Sequence, residues 1–154
     1  MMVTEIYTDG ACLGNPGPGG WAWDFMRGDV KVCFGSGGDY HTTNNRMELM
    51  AVIDALERLP LEDGVVRKLY TDSKYVLEGF TKWLAGWQAK GWKLANGKPV
   101  KNADLWERLH IAHAPHDIEW VWVKGHSGIE GNELVDKRAS KSARSFADVL
   151  AQGL

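Results

Sequence analysis

The chain has 154 residues and a mass of 17.1 kDa, with 44% hydrophobic and 25% charged residues. That is enough to bury one core and too short for two ordinary domains, so a single domain over residues 1–154 is expected and disorder or fibrous architectures are not. No apolar run approaches the roughly 18 residues of a membrane span, and Met1-Met2-Val3-Thr4-Glu5 lacks the basic-then-apolar pattern of a secretory leader, so no membrane association and a cytoplasmic setting are expected. The formal charge is −2 with a pI near 6.2, against the uniformly basic surface of many nucleic-acid binders. Cys12 and Cys33 have neither metal-finger nor redox spacing and read as reduced structural thiols.

Residues Val3 to Thr8 and Trp21 to Met26 are short and β-prone, separated by Gly14-Asn15-Pro16-Gly17-Pro18-Gly19-Gly20, which reads as a loop that continues neither. Val30 to Phe34 follows the hairpin signal Gly28-Asp29 as a third antiparallel strand. Thr42 or Thr43 caps a helix in which Leu49, Val52, Ile53 and Leu56 form one apolar stripe, ending before Pro60. Val66 to Thr71 is a fourth strand. A helical stretch begins at Asp72-Ser73 and runs, with a break near Gly79, to Gly91. A loop at Lys98 to Val100 leads to a helix from Asn102 or Ala103 through His113, closed by Pro115. Ile118 to Val123 is a fifth strand, and a last helix spans about Glu133 to Ala147. The economical architecture is α/β: a five-stranded mixed sheet, three antiparallel N-terminal strands plus two more, flanked by helices.

Charge is unevenly distributed along these elements. Between Lys74 and Lys101 six lysines face one acid, Glu78, a local charge of +5 that leaves −7 for the rest of the chain. Trp83, Trp87 and Trp92 lie in the same window, a combination that suits a nucleic-acid backbone and its sugars, or equally a small helical core with a solvating shell. Asp9 and Asp72 stand where strands end and Asp136 lies in the last helix, while Glu48 flanks the buried stripe of the first. Such acids often only cap helices. If the four converge, their mutual repulsion calls for hard divalent cations such as Mg²⁺. Two such ions about 3.5–4 Å apart can hold the attacking and leaving oxygens of a phosphodiester displacement. His110, His113 and His116 recur every three residues, but Pro115 interrupts them and nothing completes a metal set, so they read as surface residues.

Five segments carry a resemblance. They are Thr8-Asp9-Gly10 leading into Gly14 to Gly20, then Thr42-Thr43-Asn44-Asn45-Arg46-Met47-Glu48-Leu49 and Thr71-Asp72-Ser73, followed by Pro99-Val100-Lys101-Asn102 and Val123-Lys124-Gly125-His126 through Asn132-Glu133 to Asp136. In order and spacing the chain resembles the bacterial ribonuclease HI family over nearly its whole length. The resemblance implies a ribonuclease H-like fold and an endonuclease, active as a monomer, that hydrolyses the RNA strand of an RNA/DNA hybrid, leaving 3′-hydroxyl and 5′-phosphate ends. It implies Asp9, Glu48, Asp72 and Asp136 as ligands of one or two Mg²⁺ ions, with Mn²⁺ as a substitute, and His126 as a loop residue assisting proton transfer or product departure.

Substrate roles follow by the same similarity. Asn15, Asn44 and Asn45 fall along the RNA strand, where an amide suits a 2′-hydroxyl and carries no base code. Thr43 and Asn102 match a phosphate pocket for the DNA strand, and Trp83, Trp87, Lys90 and Lys93 match a protruding basic handle at about residues 80–101. Three departures stand out. His41 occupies the pocket position where relatives usually have Arg and cannot form a bidentate fork, which predicts a weaker phosphate grip. Gln88 and Ala89 thin the handle's field. Lys74 replaces a Gln common among relatives and puts a cation near the substrate.

Overall fold

The computed structural model describes residues 2–125 and 128–153. Strands β1 (Met2–Cys12), β2 (Gly17–Arg27) and β3 (Val30–Thr42) form an antiparallel meander, and α1 (Asn44–Arg58) crosses over to β4 (Val65–Thr71). Then come α2 (Lys74–Glu78), a π-helical turn (Gly79–Trp83), α3 (Leu84–Ala89), α4 (Ala103–His113), β5 (Asp117–Trp122) and α5 (Glu130–Ala151). The sheet order is β3-β2-β1-β4-β5, with β1 parallel to β4 and β4 parallel to β5. This is the mixed sheet expected from the sequence.

The main core lies between the sheet and helices α1 and α4. Ile6, Phe25 and Leu69 from the strands meet Leu49, Val52, Ile53, Trp106 and Leu109, all essentially buried. Burying side chains of this size contributes about 1.5–3 kcal/mol each. A buried carboxylate fixes α1 against β2: Asp54 accepts hydrogen bonds from the indoles of Trp21 (3.2 Å) and Trp23 (2.8 Å) and from Arg58 Nε (2.8 Å). On the other face α5 presents Val135, Ala139 and Ala143 at i, i+4 and i+8, the stripe an amphipathic helix needs to lie on β1 and β2. The buried Asp24 of β2 ties it down through Arg138, with Lys31 at 3.2 Å on its other oxygen.

Several boundaries differ from the sequence reading. The Gly14 to Gly20 segment is only half a loop, because β2 already pairs at Gly17 and a register shift between Gly17 and Gly19 absorbs Pro18. β3 runs on through Gly35, Ser36, Gly37 and Gly38 to Thr42. Two of its glycines are roofed by cross-strand tryptophans: a Cβ on Gly35 would lie 2.5 Å from the Trp23 indole nitrogen, and one on Gly37 2.3 Å from the Trp21 ring. The expected break at Gly79 is a π turn instead, and α3 stops at Ala89 before Gly91 and Trp92, both in left-handed conformation. α5 begins three residues earlier than predicted, with Glu130 and Glu133 in its first turn, where acids complement the helix dipole.

His110, His113 and His116 are not surface residues. All three are half-buried, with His113 edge-on to Phe80 (4.7 Å) and His110 against Trp92 (5.9 Å). His116 Nε2 donates to Leu56 O (2.8 Å), while its Nδ1 accepts from Arg67 Nε (3.4 Å). Cys12 and Cys33 are free thiols, and Cys12 Sγ donates to Thr42 O (3.4 Å).

Candidate active site and nucleic-acid interface

The parallel pairing of β1 with β4 ends at Tyr7↔Tyr70, so Asp9 and Asp72 stand just beyond the C-terminal ends of a parallel strand pair. Asp9 itself still lies inside β1, opposite Ala22 of β2, rather than at the strand's end. Glu48 comes from the first turns of α1. Helix and strand approach closely there because residue 10 is glycine: a Cβ would fall 2.4 Å from the Glu48 backbone nitrogen. The Gly10 N–H donates to both Asp9 Oδ1 (2.9 Å) and Glu48 Oε1 (3.0 Å) and so binds the two acids to one point. One carboxylate oxygen each from Asp9, Glu48 and Asp72 lie within 4.8 Å of one another. Asp136 joins them in lining a crevice of about 420 Å³, with Gly10, Asn44, Asn45, Ser73, Lys74 and Tyr75 on its walls.

The cluster is electrostatically strained. Burial pushes the Asp9 carboxyl up to about 8, with Asp72 and Asp136 adding to the rise, while Glu48 and the Gly10 N–H oppose it. Glu48 is held well above the usual carboxylate range, first by burial and then by Asp9 and Asp72. Its second oxygen, Oε2, is buried without a hydrogen-bond partner among the described residues. A buried orphan acceptor beside converging carboxylates is the donor set of a hard divalent cation, so the residues fit a metal ion.

Next to the crevice, across Asn44 and Asn45, lies a depression of about 410 Å³ lined by Asn15, Pro16, Thr43, Lys101 and Asn102 as well. Thr43 caps α1 by accepting from Arg46 N (3.3 Å), and Asn15 Oδ1 accepts from Asn44 N (3.0 Å). Asn102, in left-handed conformation at the head of α4, is clamped on both sides. Arg46 Nη1 donates to its Oδ1 (3.3 Å), and its Nδ2 donates to Tyr75 Oη (3.0 Å), which also accepts from Trp106 Nε1 (3.0 Å). His41 is exposed on β3, its N–H directed to Asp39 Oδ1 (3.4 Å), and does not line the depression.

Lys74 lies on the crevice wall with its ammonium 5.1 Å over the Trp122 ring. Trp83, Trp87, Lys90 and Lys93 meet with Lys82, Leu94 and Ala95 around a separate hollow of about 230 Å³. Trp83 is 55% exposed, whereas Trp87 packs on Trp106 (5.3 Å) and belongs partly to the core. His126 lies outside the described residues, though Gly125 before it abuts Asp72, where a Cβ would sit 3.2 Å from Oδ2. Sequence reasoning gave no role to Tyr75, Arg46 or Trp122. Their part is relational, set by the hydroxyl, guanidinium or ring meeting a distant residue, and no local signal carries it.

A mixed five-stranded sheet thus gathers carboxylates beyond the ends of its central parallel pair, where they could hold a metal ion. The RNase H family model matches residues 2–144. The Ribonuclease H of Novosphingobium aromaticivorans is 57% identical over 143 residues, covering 93% of this chain and 98% of that protein. The Ribonuclease HI of Caulobacter vibrioides is 55% identical over 141 residues, covering 90% and 91%. Among solved structures, LC9-RNase H1, a type 1 RNase H with the type 2 active-site motif, superposes with a TM-score of 0.77 at 32% identity, over 94% of this chain and 74% of that one. The chain belongs to the ribonuclease H family.

Proposed function

We propose that the chain is an endonuclease that hydrolyses the RNA strand of RNA/DNA hybrids without base-sequence specificity, leaving 3′-hydroxyl and 5′-phosphate ends. The observation that carries the reading is the crevice itself, four carboxylates with the Glu48 Oε2 orphan among them, a costly arrangement unless a cation completes it. Asp9, Glu48, Asp72 and Asp136 would hold Mg²⁺, with Mn²⁺ able to take its place. When bound, such ions neutralise phosphate charge and lower the pKa of coordinated water.

The chain's own residues supply orientation. Gly10 N–H fixes Asp9 and Glu48, and the amides of Asn15, Asn44 and Asn45 offer donors and acceptors to 2′-hydroxyls, which mark RNA without reading bases. Thr43 and Asn102 receive the DNA strand, Lys74 stands at the crevice wall, and Trp83, Trp87, Lys90 and Lys93 grip the hybrid further out. His126 assists proton transfer or product departure. The free thiols accord with a reducing, cytoplasmic compartment, and we take the enzyme as a monomer.

The test is cleavage of one end-labelled RNA presented as hybrid, as duplex RNA and as single strand, with Mg²⁺, Mn²⁺ or chelator, beside the Asp9→Asn protein. Metal-dependent cutting of the hybrid alone, lost in Asp9→Asn, is expected. A hybrid that is bound but never cut with either metal would replace the enzyme by a binding module.

A further inference from the structure

We infer that Trp122 is a positioning residue for the carboxylate crevice: its indole face holds the Lys74 ammonium off the four acids, which keeps them open to divalent cations. The inference rests on the metal-dependent nuclease reading above and deepens it.

Lys74 is the one cation on the crevice wall among the described residues, and it stands two positions after Asp72. An ammonium on a flexible four-carbon stem beside Asp9, Glu48, Asp72 and Asp136 is expected to fall among them and to compete with any ion they bind. Among the described residues, however, Lys31 and Lys82 form ion pairs with acids and Lys74 forms none. Its Nζ lies instead 5.1 Å over the Trp122 ring, within the range at which an aromatic face attracts a cation. The strongest influences on Asp9 and Glu48 are correspondingly burial, the neighbouring acids and the Gly10 N–H.

The backbone dictates this contact. Strands β4 and β5 pair Thr71 with Trp122, and Thr71 O accepts from Val123 N (2.9 Å), which fixes the root of the indole. Thr71 Oγ1 accepts from Ser73 N (3.1 Å), and Ser73 caps α2 by accepting from Val76 N (3.2 Å), which fixes Lys74 as the first residue of that helix. One threonine thus anchors the chain at both partners. Trp122 has no comparable task in the interior. It is 43% exposed and belongs to neither apolar cluster, unlike Trp120 on the same strand, which packs on Phe80 (4.9 Å). What the exposed ring holds is the lysine.

The test titrates Mn²⁺ alone, without nucleic acid, into the parent, Trp122→Leu, Trp122→Phe, Lys74→Gln and the double variant Trp122→Leu/Lys74→Gln. Free Mn²⁺ is read by electron paramagnetic resonance at one pH and salt concentration. Trp122→Leu should raise the dissociation constant about fivefold, the worth of an aromatic hold on a partly exposed cation, and Trp122→Phe should recover part of that loss. In the Lys74→Gln background Trp122→Leu should change nothing, because the ring then has no ammonium to hold. A constant unmoved by Trp122→Leu, no recovery with Trp122→Phe, or a loss that persists without Lys74 overturns the inference. A parent that neither binds Mn²⁺ nor cuts hybrid would instead strike the reading beneath.

Discussion

At Asp9 burial and like charge act in the same direction, and the consequence is a pH dependence of opposite sign to that of a salt-bridged carboxylate. Its folded-state pKa is raised from 3.8 to about 8, so the folded protein binds this proton more tightly than the unfolded chain does. Without metal, stability should therefore fall as pH rises from about 4 through 8. Asp9→Asn removes the penalty: in chelator at pH 8.5 it should gain about 1–2 kcal/mol, or roughly 3–8 °C in Tm, with the gain shrinking towards pH 4. Thermal melts across that range check it, and identical melts would mean that the buried Asp9 carboxylate carries no such penalty. His116, near the start of the same parallel strand pair, shows the opposite sign. Burial and the neighbouring Arg67 hold its pKa below the ordinary 6.5, so its neutral form supports the fold above that pH and stability is lost as pH falls through it. Denaturant midpoints between pH 7 and 5 should drop more steeply for the parent than for His116→Gln. Asp9, expected at the end of its strand, lies inside β1, whereas Asp72 after β4 and Glu48 beside the α1 stripe were legible locally. The bridging Gly10 N–H and the buried Glu48 oxygen were not, because they depend on the separation of two elements 38 positions apart.

Among the elements, glycines account for most of the distance between sequence and structure. Helix α1 was readable almost to the residue because its cap, stripe and stop are all local: Thr43, the Leu49 to Leu56 periodicity and Pro60. The Gly-rich stretches of β2 and β3 were not, since their glycines are fitted to distant neighbours: Gly35 and Gly37 to the Trp23 and Trp21 rings, Gly20 to α5 at Ser142 and Ala143. At Gly79 the sequence marked the right place for an irregularity but not its nature. The chain widens into a π turn, and the position has no room for a side chain, a Cβ there lying 2.2 Å from Trp106 Cη2. Gly79→Ala should cost about 1–3 kcal/mol by overpacking. Because Trp106 holds Tyr75, and Tyr75 holds Asn102, it should also weaken hybrid binding. Urea unfolding and hybrid titration on one preparation separate the two effects, and a loss of stability with unchanged affinity would show that the chain of contacts ends at Tyr75.

Across the whole molecule, charge and shape divide the labour. The lysine-rich window was visible in composition, and the structure brings Lys82, Lys90 and Lys93 to one hollow beside the exposed Trp83. Replacing Lys90 and Lys93 together by alanine should flatten the salt slope of hybrid binding by about 1.8, twice the single-phosphate contribution. No change would make the hollow a packing feature. The convergence of Asp9, Glu48, Asp72 and Asp136 could not be read from spacing, because four different elements deliver them; resemblance to known relatives supplied what periodicity could not.

That dispersal across the chain has a further outcome through the pairing of β1 with β4, Met2↔Val65 to Tyr7↔Tyr70. The first strand pairs at once with β2, but its parallel partner lies more than sixty residues downstream, and the last acid arrives only with α5. Long-range parallel pairing of this kind forms late, after loop closure has been paid for. Closure of the carboxylate crevice thus waits on α5, which brings Asp136 to it. A chain ending before Glu130 would lack both Asp136 and the Val135, Ala139 and Ala143 stripe that covers β1 and β2.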